Sequence, residues 1–530
     1  MRTDPTTRIE TAVPVAVRPI LLMTLCLSVL FLAGCDSFVE EKPLDFVESE
    51  NFFEDEDDAR SVVLQLNNNL QNRGAYNCAI QRATIYQSPL LFGRSPWDNF
   101  SWTANGILDD TRTFQIYVSC DIGAYWINAY QGILRANNIL RNVPDLSESQ
   151  ISQSARQRFL GEARFHRALQ YFNMVRFFGD VPLRTEENYT LPPAGAAELE
   201  PTAVSSIYAD LIIPDLQFAV ENLPAQSSSS ARATQGAART LLGKVYLRLG
   251  SVVRTGAFSD RSYAQDAQTY YQQAADVLGA LVEAGNWSLE ESYRNVFAPT
   301  RQAGNSETMI AAQFVAGQLS GTYAPSVQPP SDDAQIFRPW YDAMPNTYRK
   351  QFSTTTALVE EGDTVQVFSP PRMNKFREFD GDIGSVNFPI LRYADALLMY
   401  AEALNEANDG PTAAAFDAIN QVRARARGDL TEDSAEEGTD PEELPDLEAP
   451  MNEDDFRQAV YQEREWELFG EAHQWFDLVR TNRLFEVNQN SDYCVERCRN
   501  VQQPKHKLYP IPAVVIDQNP TLEEFQNPGY

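Results

Sequence analysis

Apolar and aromatic side chains recur every three or four residues through much of the chain, which is the spacing of one face of an α-helix. Several of these stretches end at or beside a helix breaker, as at Pro144, Gly179, Gly250 and Gly285, and Pro214 falls inside another. The pattern predicts helices over residues 125–143, 150–178, 203–223, 234–249, 262–284, 390–407, 412–427 and 453–469. No convincing run of alternating apolar and polar residues stands beside them, so the predicted class is mainly α.

The predicted helices come in pairs of about 35–45 residues, a period found in tetratricopeptide-like arrays. The consensus residues of such repeats are too degraded to identify repeats from the spacing alone. The spacing therefore predicts a helical scaffold, over about 125–285 and 388–485, without assigning it to a repeat family.

Two stretches interrupt this scaffold. Residues 286–387 are rich in Gly, Pro, Ser and Asn, which predicts loops with short strands. Residues 429–455 contain 13 acidic residues and no Lys or Arg, which predicts a solvated, flexible insertion. A calcium loop is the alternative for this acidic insertion, but the Asp-x-Asp-x-Asp-Gly pattern is absent.

The first 34 residues have the pattern of an export signal. Three arginines precede an uncharged, mostly apolar run over residues 20–33, which is shorter than the roughly 20 residues that span a bilayer. The run ends in Leu-Ala-Gly before Cys35 and resembles the bacterial lipobox, in which that cysteine is lipidated and becomes the first residue of the mature chain. We therefore expect residues 1–34 to be removed and acyl chains on Cys35 to tether residues 35–530 to a membrane. A plain signal peptide with an incidental cysteine is the alternative.

Cysteine usage agrees with export. Besides Cys26 and Cys35 the chain has an even number of cysteines, which predicts disulfides in an oxidising compartment: Cys78, Cys120, Cys494 and Cys498. The pairs closest in sequence are 78–120 and 494–498, and the other pairings stay open. The spacing of the second pair could also suit a metal, but only His506 lies near it, so no metal is predicted.

Charge and composition exclude several functional classes. The chain has 530 residues, 43 Lys and Arg against 73 Asp and Glu, and a net charge of −30. With no basic stretch, it lacks the groups that neutralise nucleic-acid phosphates. Its three histidines leave little material for metal or proton-transfer chemistry. The acidic surplus suits either a salt-rich habitat or an ordinary acidic secreted protein.

No catalytic motif is found. The chain lacks a Gly-x-Ser-x-Gly elbow, a phosphate loop, a dinucleotide-binding glycine motif and a His-Glu-x-x-His pair. His166 and His473 lie among aromatic residues and are expected to be packed. Glycosidases use a pair of carboxylates, but so acidic a chain contains many possible pairs, and the sequence does not single one out. The sequence therefore predicts no catalytic residue and no cofactor.

Aromatic residues in loops are the positive signal for binding. Trp97 and Trp102 stand among Asn, Asp and Ser, and Trp340 and Tyr341 form a second cluster. A flat ring stacks on the C–H face of a sugar, while neighbouring amides and carboxylates bind its hydroxyls. The alternative is that these rings only close a loop-rich core.

Several blocks of the sequence resemble the SusD/RagB family of nutrient-binding lipoproteins. They occur in family order over nearly the whole chain: 35–43, 51–59, 162–168, 177–183, 233–247, 388–403, 463–480 and 508–530. The resemblance implies a single SusD-like domain over residues 35–530, with a tetratricopeptide-like scaffold, an irregular ligand face and no catalysis. It also implies a place on the outer face of the outer membrane, capping a SusC-like, TonB-dependent transporter barrel and passing it oligosaccharides or peptides.

The resemblance also sorts the candidate residues. The family blocks are mostly scaffold, so these charged and aromatic residues are expected to be buried ion pairs and packing residues: Arg164, Arg392, Asp395, Glu402, Arg464, Trp475, Asp477 and Arg480. Ligand contacts vary within the family and fall in the loop after the first helices and in the irregular region. On that basis the expected ligand contacts are Trp97, Asn99, Trp102, Asp109, Asp110, Tyr323, Trp340 and Tyr341.

Two other functional classes stay open from the sequence. One is a lipid-anchored glycosidase, which release of reducing ends from glycans would reveal. The other is a structural scaffold lipoprotein, which the absence of a neighbouring transporter gene would favour.

Overall fold

Helices make up most of the structure, a computed structural model that describes residues 53–85, 90–92, 122–188, 199–315, 335–360, 363–376, 385–430, 440–490 and 505–530. In chain order the helices are α1 (Glu56–Leu70), α2 (Ala79–Thr84), α3 (Ile122–Asn142), α4 (Gln153–Phe178), α5 (Val204–Ile207), α6 (Ile213–Asn222), α7 (Gln235–Thr255), α8 (Ala267–Ala284), α9 (Tyr293–Phe297), α10 (Arg338–Ala343), α11 (Tyr348–Ser353), α12 (Tyr393–Ala407), α13 (Ala413–Arg427), α14 (Glu453–Glu467), α15 (Gln474–Arg480), α16 (Leu484–Asn490) and α17 (Ala513–Gln518). Chain neighbours pack as pairs, namely α3 with α4, α7 with α8 and α12 with α13.

Strands are few and short in the described residues. They are β1 (Leu91–Phe92), β2 (Val181–Pro182), β3 (Pro201–Thr202), β4 (Thr308–Ala312), β5 (Gln335–Ile336), β6 (Thr354–Glu360), β7 (Asp363–Met373) and β8 (Phe388–Arg392). One sheet has the order β1-β5-β7-β6, and the pairs β2–β3 and β4–β8 stand apart from it. All the pairings are antiparallel.

Helix α4 is the centre of the core. Every residue from Phe165 to Phe178 is buried, and a helix buried on all sides must have neighbours all round it. The C-terminal segment supplies one of those neighbours. The Tyr509 backbone N–H donates to the Phe177 carbonyl at 2.6 Å, and the Asn527 amide donates to the Phe178 carbonyl at 2.9 Å. The Tyr509 hydroxyl donates to the Ala83 carbonyl at 2.8 Å, so the C-terminal segment joins α4 to the end of α2.

Most of the predicted helices form, although several differ at one end; α8, for example, begins at Ala267 and not at residue 262. Gly179 and Gly285 end their helices with positive φ, as the spacing predicts, but α7 continues past Gly250 to a left-handed Gly256. A Cβ at position 250 would lie 3.0 Å from the ring of Tyr271, so this glycine permits close helix packing. The start predicted at residue 390 is also wrong, because residues 388–392 form β8.

Pro214 lies within a continuous helical stretch. Residues Tyr208–Ile212 form a π-helical turn between α5 and α6, and Pro214 follows in the first turn of α6. Proline removes one helical hydrogen bond and clashes with the carbonyl one turn earlier, and a wider π turn accommodates both effects. The predicted kink is therefore a local change of helix type.

Part of the acidic insertion is packed, contrary to the predicted flexible loop. Residues 431–439 lie outside the described residues, but 440–452 run along α13. Leu444 is buried, and the backbone of Leu447 exchanges two hydrogen bonds, at 2.8 and 2.9 Å, with the side chain of Asn420. The acidic side chains face outward while the intervening leucines anchor the segment.

A buried ionic cluster joins the strands to the later helices. It contains four carboxylates and four cations, namely Glu307, Glu463, Glu467, Glu471, Arg349, Lys375, Arg392 and Arg425. Each side chain is no more than 1% exposed. The Arg392 guanidinium bonds three of the carboxylates at 2.6–2.7 Å, and Glu467 accepts from three guanidinium groups at 2.6–2.9 Å. Burial alone would raise the pKa of Glu467, but Arg425, Arg392 and Arg349 hold that pKa well below its usual range.

The other predicted scaffold residues are also buried or ion-paired. Asp395 bonds Lys244 at 2.7 Å and Arg464 at 2.9 Å, and Arg480 pairs with Glu402 and Asp477. Arg164 pairs with Asp215 at 2.8 Å. The ring of Trp475 is fully buried and stacks on Phe177, with centroids 5.7 Å apart. The structure confirms the scaffold role predicted for these residues.

We expect Glu467→Gln to destabilise the fold strongly. The change removes the negative charge that three buried guanidinium groups share. Breaking a buried ion pair typically costs about 3–5 kcal/mol. The measurement is the free energy of unfolding in urea. Asp342→Asn is the matched control, because the Arg338–Asp342 pair is mostly exposed and its loss costs under about 0.5 kcal/mol. Equal effects of the two substitutions would show that the cluster carries no special share of the stability.

Candidate functional site

Most of the predicted ligand contacts lie outside the described residues. Trp97, Asn99, Trp102, Asp109 and Asp110 belong to residues 93–121, and Tyr323 belongs to residues 316–334. Cys35, Cys120, Cys494 and Cys498 also lie outside them. Cys78 is disulfide-bonded, and its pairing with Cys120 stays a prediction.

The described strands show where those two segments join the fold. In the antiparallel pair β1–β5, Leu91 lies opposite Ile336 and Phe92 lies opposite Gln335. The chain leaves β1 after Phe92 and enters β5 at Gln335, which is the same end of this short ladder. Segment 93–121 therefore begins where segment 316–334 ends. The two groups of predicted contacts share an attachment point, although they are some 200 residues apart in sequence.

Helix α10 follows β5 directly and carries the two described candidates, Trp340 and Tyr341. Trp340 is only 1% exposed. Its indole N–H donates to Glu465 Oε1 at 2.5 Å, and its ring packs on Phe469 with centroids 4.8 Å apart. Burial raises the pKa of Glu465. The structure thus corrects the sequence expectation for Trp340: its ring anchors α10 to α14 and presents no open face to a ligand.

Tyr341 is half-buried and keeps part of its surface open. The Lys350 ammonium lies 4.5 Å from the ring centroid, and the Arg338 guanidinium lies 5.5 Å from it. Arg338 also pairs with Asp342 at 2.8 Å along the exposed face of α10. Tyr341 therefore offers a cation-flanked aromatic edge beside the shared attachment point, and it remains a candidate contact.

The described histidines are packed, as the sequence analysis expected. Burial lowers the pKa of His166 to about 3, and both of its ring nitrogens are buried without a hydrogen-bond partner. His473 Nδ1 lies 3.0 Å from Lys244 Nζ, and burial lowers its pKa well below the usual range. Both imidazoles are neutral and structural.

Among the described residues, no group of three or more His, Cys, Asp or Glu side chains is arranged to hold a metal. No helix in the same ranges is long and apolar enough to cross a membrane.

One open concavity has no counterpart among the sites predicted from the sequence. A cavity of about 340 Å³ lies where α3, the residues after β2 and the C-terminal segment meet, and we call it the side cavity. Its walls include Trp126 and Tyr130, and Arg184 lies at its edge. The only signal available in the sequence was the exposed apolar position Ile127, one turn before Gln131, and that position by itself resembles any helix surface.

Comparison with known proteins supports the predicted fold and the resemblance to the SusD/RagB family. A family model described as "SusD family" matches residues 344–530, and one described as "Starch-binding associating with outer membrane" matches residues 49–247. A SusD-like protein of Formosa agariphila is 27% identical over 565 residues, covering 94% of this chain and 97% of its own length.

Solved structures of similar fold have the same helical architecture. A SusD homolog from Bacteroides thetaiotaomicron superposes with a TM-score of 0.71 at 22% identity, covering 91% of this chain and 98% of its own. A laminarin-binding SusD-like protein superposes with a TM-score of 0.65 at 23% identity, covering 90% of this chain and all of its own. These superpositions confirm the predicted mainly helical, tetratricopeptide-like fold.

The anchoring role of Trp340 predicts a loss of stability from Trp340→Phe. The phenyl ring keeps the packing on Phe469, but the half-buried carboxylate of Glu465 loses its indole donor, at a cost of about 1–3 kcal/mol. Urea unfolding of Trp340→Phe, Glu465→Gln and the double variant measures the coupling, and we expect the two effects not to add. Tyr341→Ala is the neighbouring control and should change stability less. Unchanged stability with weakened ligand retention would instead make Trp340 a ligand contact.

Proposed function

Because the chain belongs to the SusD/RagB family, we propose that it is a lipid-anchored protein of the outer-membrane surface that binds oligosaccharides, or peptides, and delivers them to a SusC-like, TonB-dependent transporter. It performs no catalysis in this role. Two similarities support a glycan ligand, namely the match to the starch-binding family model and the structural likeness to a laminarin-binding protein. Association with the outer membrane is part of the same family description.

The observation that carries the proposal is the β1–β5 register. It puts the start of segment 93–121 and the end of segment 316–334 at one point of the sheet, immediately before α10. Trp97, Trp102 and Tyr323 lie in those segments, and Tyr341 lies on α10. Aromatic rings from separate segments suit an extended sugar chain, because each ring can stack on one pyranose unit.

The buried ionic cluster supports the proposal indirectly. A binding face built from irregular segments needs a scaffold that holds their ends still, since rigid ends reduce the ordering cost of binding. The cluster includes Arg349 of α11, and α11 leads directly into β6 of the same sheet. The sheet that carries the attachment point is thereby tied to α13 and α14.

We expect Trp97→Ala/Trp102→Ala to abolish retention in affinity electrophoresis on the glycan that the wild-type protein binds. The ligand is first found by screening the wild type on a glycan and peptide array. Removing two stacking rings should weaken binding at least tenfold, since each stacked ring contributes about 1–3 kcal/mol by analogy with base stacking. Phe525→Ala is the matched control, because Phe525 is an exposed aromatic residue outside the proposed face.

Thermal melting distinguishes binding from packing in the same variants. The double variant should melt within a few degrees of the wild type. A collapse of its melting temperature would show that the two rings are core residues and that the ligand face lies elsewhere. Release of reducing ends from a bound glycan would contradict the non-enzymatic role.

Lipid anchoring predicts that Cys35→Ala moves the protein from the membrane to the soluble fraction and prevents labelling by palmitate. The acyl chains are the proposed tether, and without the cysteine they have no attachment atom. Cys26→Ala is the matched control, since Cys26 lies inside the proposed signal and should leave anchoring unchanged. Membrane retention of Cys35→Ala would contradict the lipoprotein assignment.

The same membrane preparations test the partner. Mild solubilisation of the wild type should co-purify a TonB-dependent transporter. An anchored protein that binds no glycan or peptide and co-purifies no barrel would instead be a structural lipoprotein.

A further inference from the structure

The side cavity is lined by residues of α3, of β2 and the segment after it, and of the C-terminal segment. Neither Trp340 nor Tyr341, the two predicted ligand contacts among the described residues, lines it. It opens to the surface between α3, the residues after β2 and the C-terminal α17. Its volume, about 340 Å³, falls in the range of small-molecule sites, which are mostly apolar with a few polar groups.

The apolar wall of the side cavity is fixed before any ligand arrives. The rings of Trp126 and Tyr130 lie 5.5 Å apart at 43°, and Trp126 packs edge-on against Phe178. The Tyr130 hydroxyl donates to the Pro182 carbonyl at 2.7 Å, so this ring cannot swing away. Ile127 extends the wall and is 41% exposed. A preformed wall of this kind loses little conformational entropy on binding.

Arg184 supplies a positive charge at this wall. Its backbone is held, because its N–H donates to the Tyr171 hydroxyl at 2.7 Å and its carbonyl accepts from Asn137 at 3.1 Å. Its guanidinium makes no hydrogen bond or ion pair with any residue in the described ranges. It is nevertheless close enough to act on Tyr130: burial raises the pKa of that hydroxyl, and the Arg184 charge opposes the rise.

A neighbouring arginine is ion-paired within the described residues, unlike Arg184. Arg167 of α4 packs nearby and is paired with both Asp215 and Glu186. Acidic groups outnumber basic ones 73 to 43 in this chain, so counter-ions are plentiful. Since Arg184 pairs with none of the described carboxylates, its guanidinium keeps its N–H donors available for an anion on the described side of the cavity.

The rim of the side cavity adds neutral hydrogen-bonding groups. Gln131 of α3 and Gln518 of α17 both line it and are exposed. Neither side chain is bonded to another described residue. Each amide offers donors and an acceptor, which suits a ligand that carries several hydroxyls more than a simple hydrocarbon acid.

We propose that the side cavity is a second binding site, which takes a carboxylated sugar unit such as a uronic acid. The carboxylate lies on the Arg184 guanidinium, where a bidentate, charge-assisted pair can form. The C–H face of the ring packs on Tyr130 and Ile127, which Trp126 supports from its buried position behind them, and the hydroxyls bond to Gln131 and Gln518. The site recognises charge and therefore differs in specificity from a face built of stacking rings alone.

The test is isothermal titration of the full-length protein with short oligomers of galacturonic and glucuronic acid, with neutral oligomers of the same length, and with hexanoate. We expect the acidic oligomers to bind at least tenfold more tightly than the neutral ones and hexanoate. Their affinity should fall with added salt, because the contact is partly exposed. Equal affinity for neutral and acidic oligomers, or for hexanoate, would overturn the proposal, as would no binding at all.

Two substitutions assign the binding to the side cavity. Arg184→Gln removes the charge and should weaken acidic oligomers at least tenfold, since a hydrogen bond to a charged group contributes about 1.5–3 kcal/mol. Gln131→Glu places a like charge at the rim and should weaken them similarly. Arg141→Gln is the matched control, because Arg141 is exposed on α3 and does not line the cavity. Thermal melting should be unchanged in all three variants.

The proposed ligand face provides an independent check. The double variant Trp97→Ala/Trp102→Ala should still bind the acidic oligomers. It should no longer be retained on the glycan that the wild-type protein binds at the proposed ligand face. If that variant no longer binds the acidic oligomers while Arg184→Gln still binds them, then acidic sugars bind at the proposed ligand face and the side-cavity proposal is wrong. If only Arg184→Gln fails to bind them, the second site is supported even if the proposed ligand face binds no glycan.

Discussion

The buried cluster of carboxylates and cations constrains the rest of the structure. Glu307 and three carboxylates from residues 463–471 share four cations from other parts of the chain with almost no access to water. Taking a charge out of water is costly, and the cost is recovered only when geometry and partners are nearly complete. A small shift of β8 or α14 would leave an uncompensated charge, so the cluster allows few alternative arrangements of these elements.

The cluster also explains the use of arginine in the scaffold. A planar guanidinium can bond two or three carboxylates at once, as Arg392 does, whereas an ammonium group is a single point charge. The burial of Lys375 in the same cluster lowers its pKa to about 8, which shows how much less well this environment suits lysine. The second set of pairs, around Asp395 and Arg480, extends the same arrangement to α7, α12 and α15.

Sequence reasoning predicted the elements whose signals are local. Helices α4, α8 and α13 follow from apolar spacing and from glycines at positive φ, such as Gly179 and Gly285. The buried charges of the scaffold followed from the family resemblance. Strand β8 was predicted as the start of a helix because it is buried on both faces and shows no alternation, whereas β4 lies in the region predicted to contain short strands. The packed half of the acidic insertion was missed because its anchor, Asn420, belongs to another helix.

Site prediction was limited by contacts between distant residues. Trp340 looks like a stacking platform in sequence, and only Glu465 and Phe469, more than 120 positions later, make it a core residue. The side cavity combines α3, Arg184 and α17, three segments without a common local pattern. The β1–β5 pairing likewise depends on two dipeptides about 240 residues apart, so no window of sequence reveals that the two aromatic-bearing segments share a base.

The contacts of the C-terminal segment with α2 and α4 have a consequence for how the chain is made. The central helix stays incompletely covered until Tyr509 and Asn527 have been synthesised, because these two residues bond the carbonyls at its end. Contacts between residues more than 300 positions apart slow folding, since a long loop must close first. During synthesis the nascent chain therefore emerges with an unfinished core, and residues 509–527 complete it.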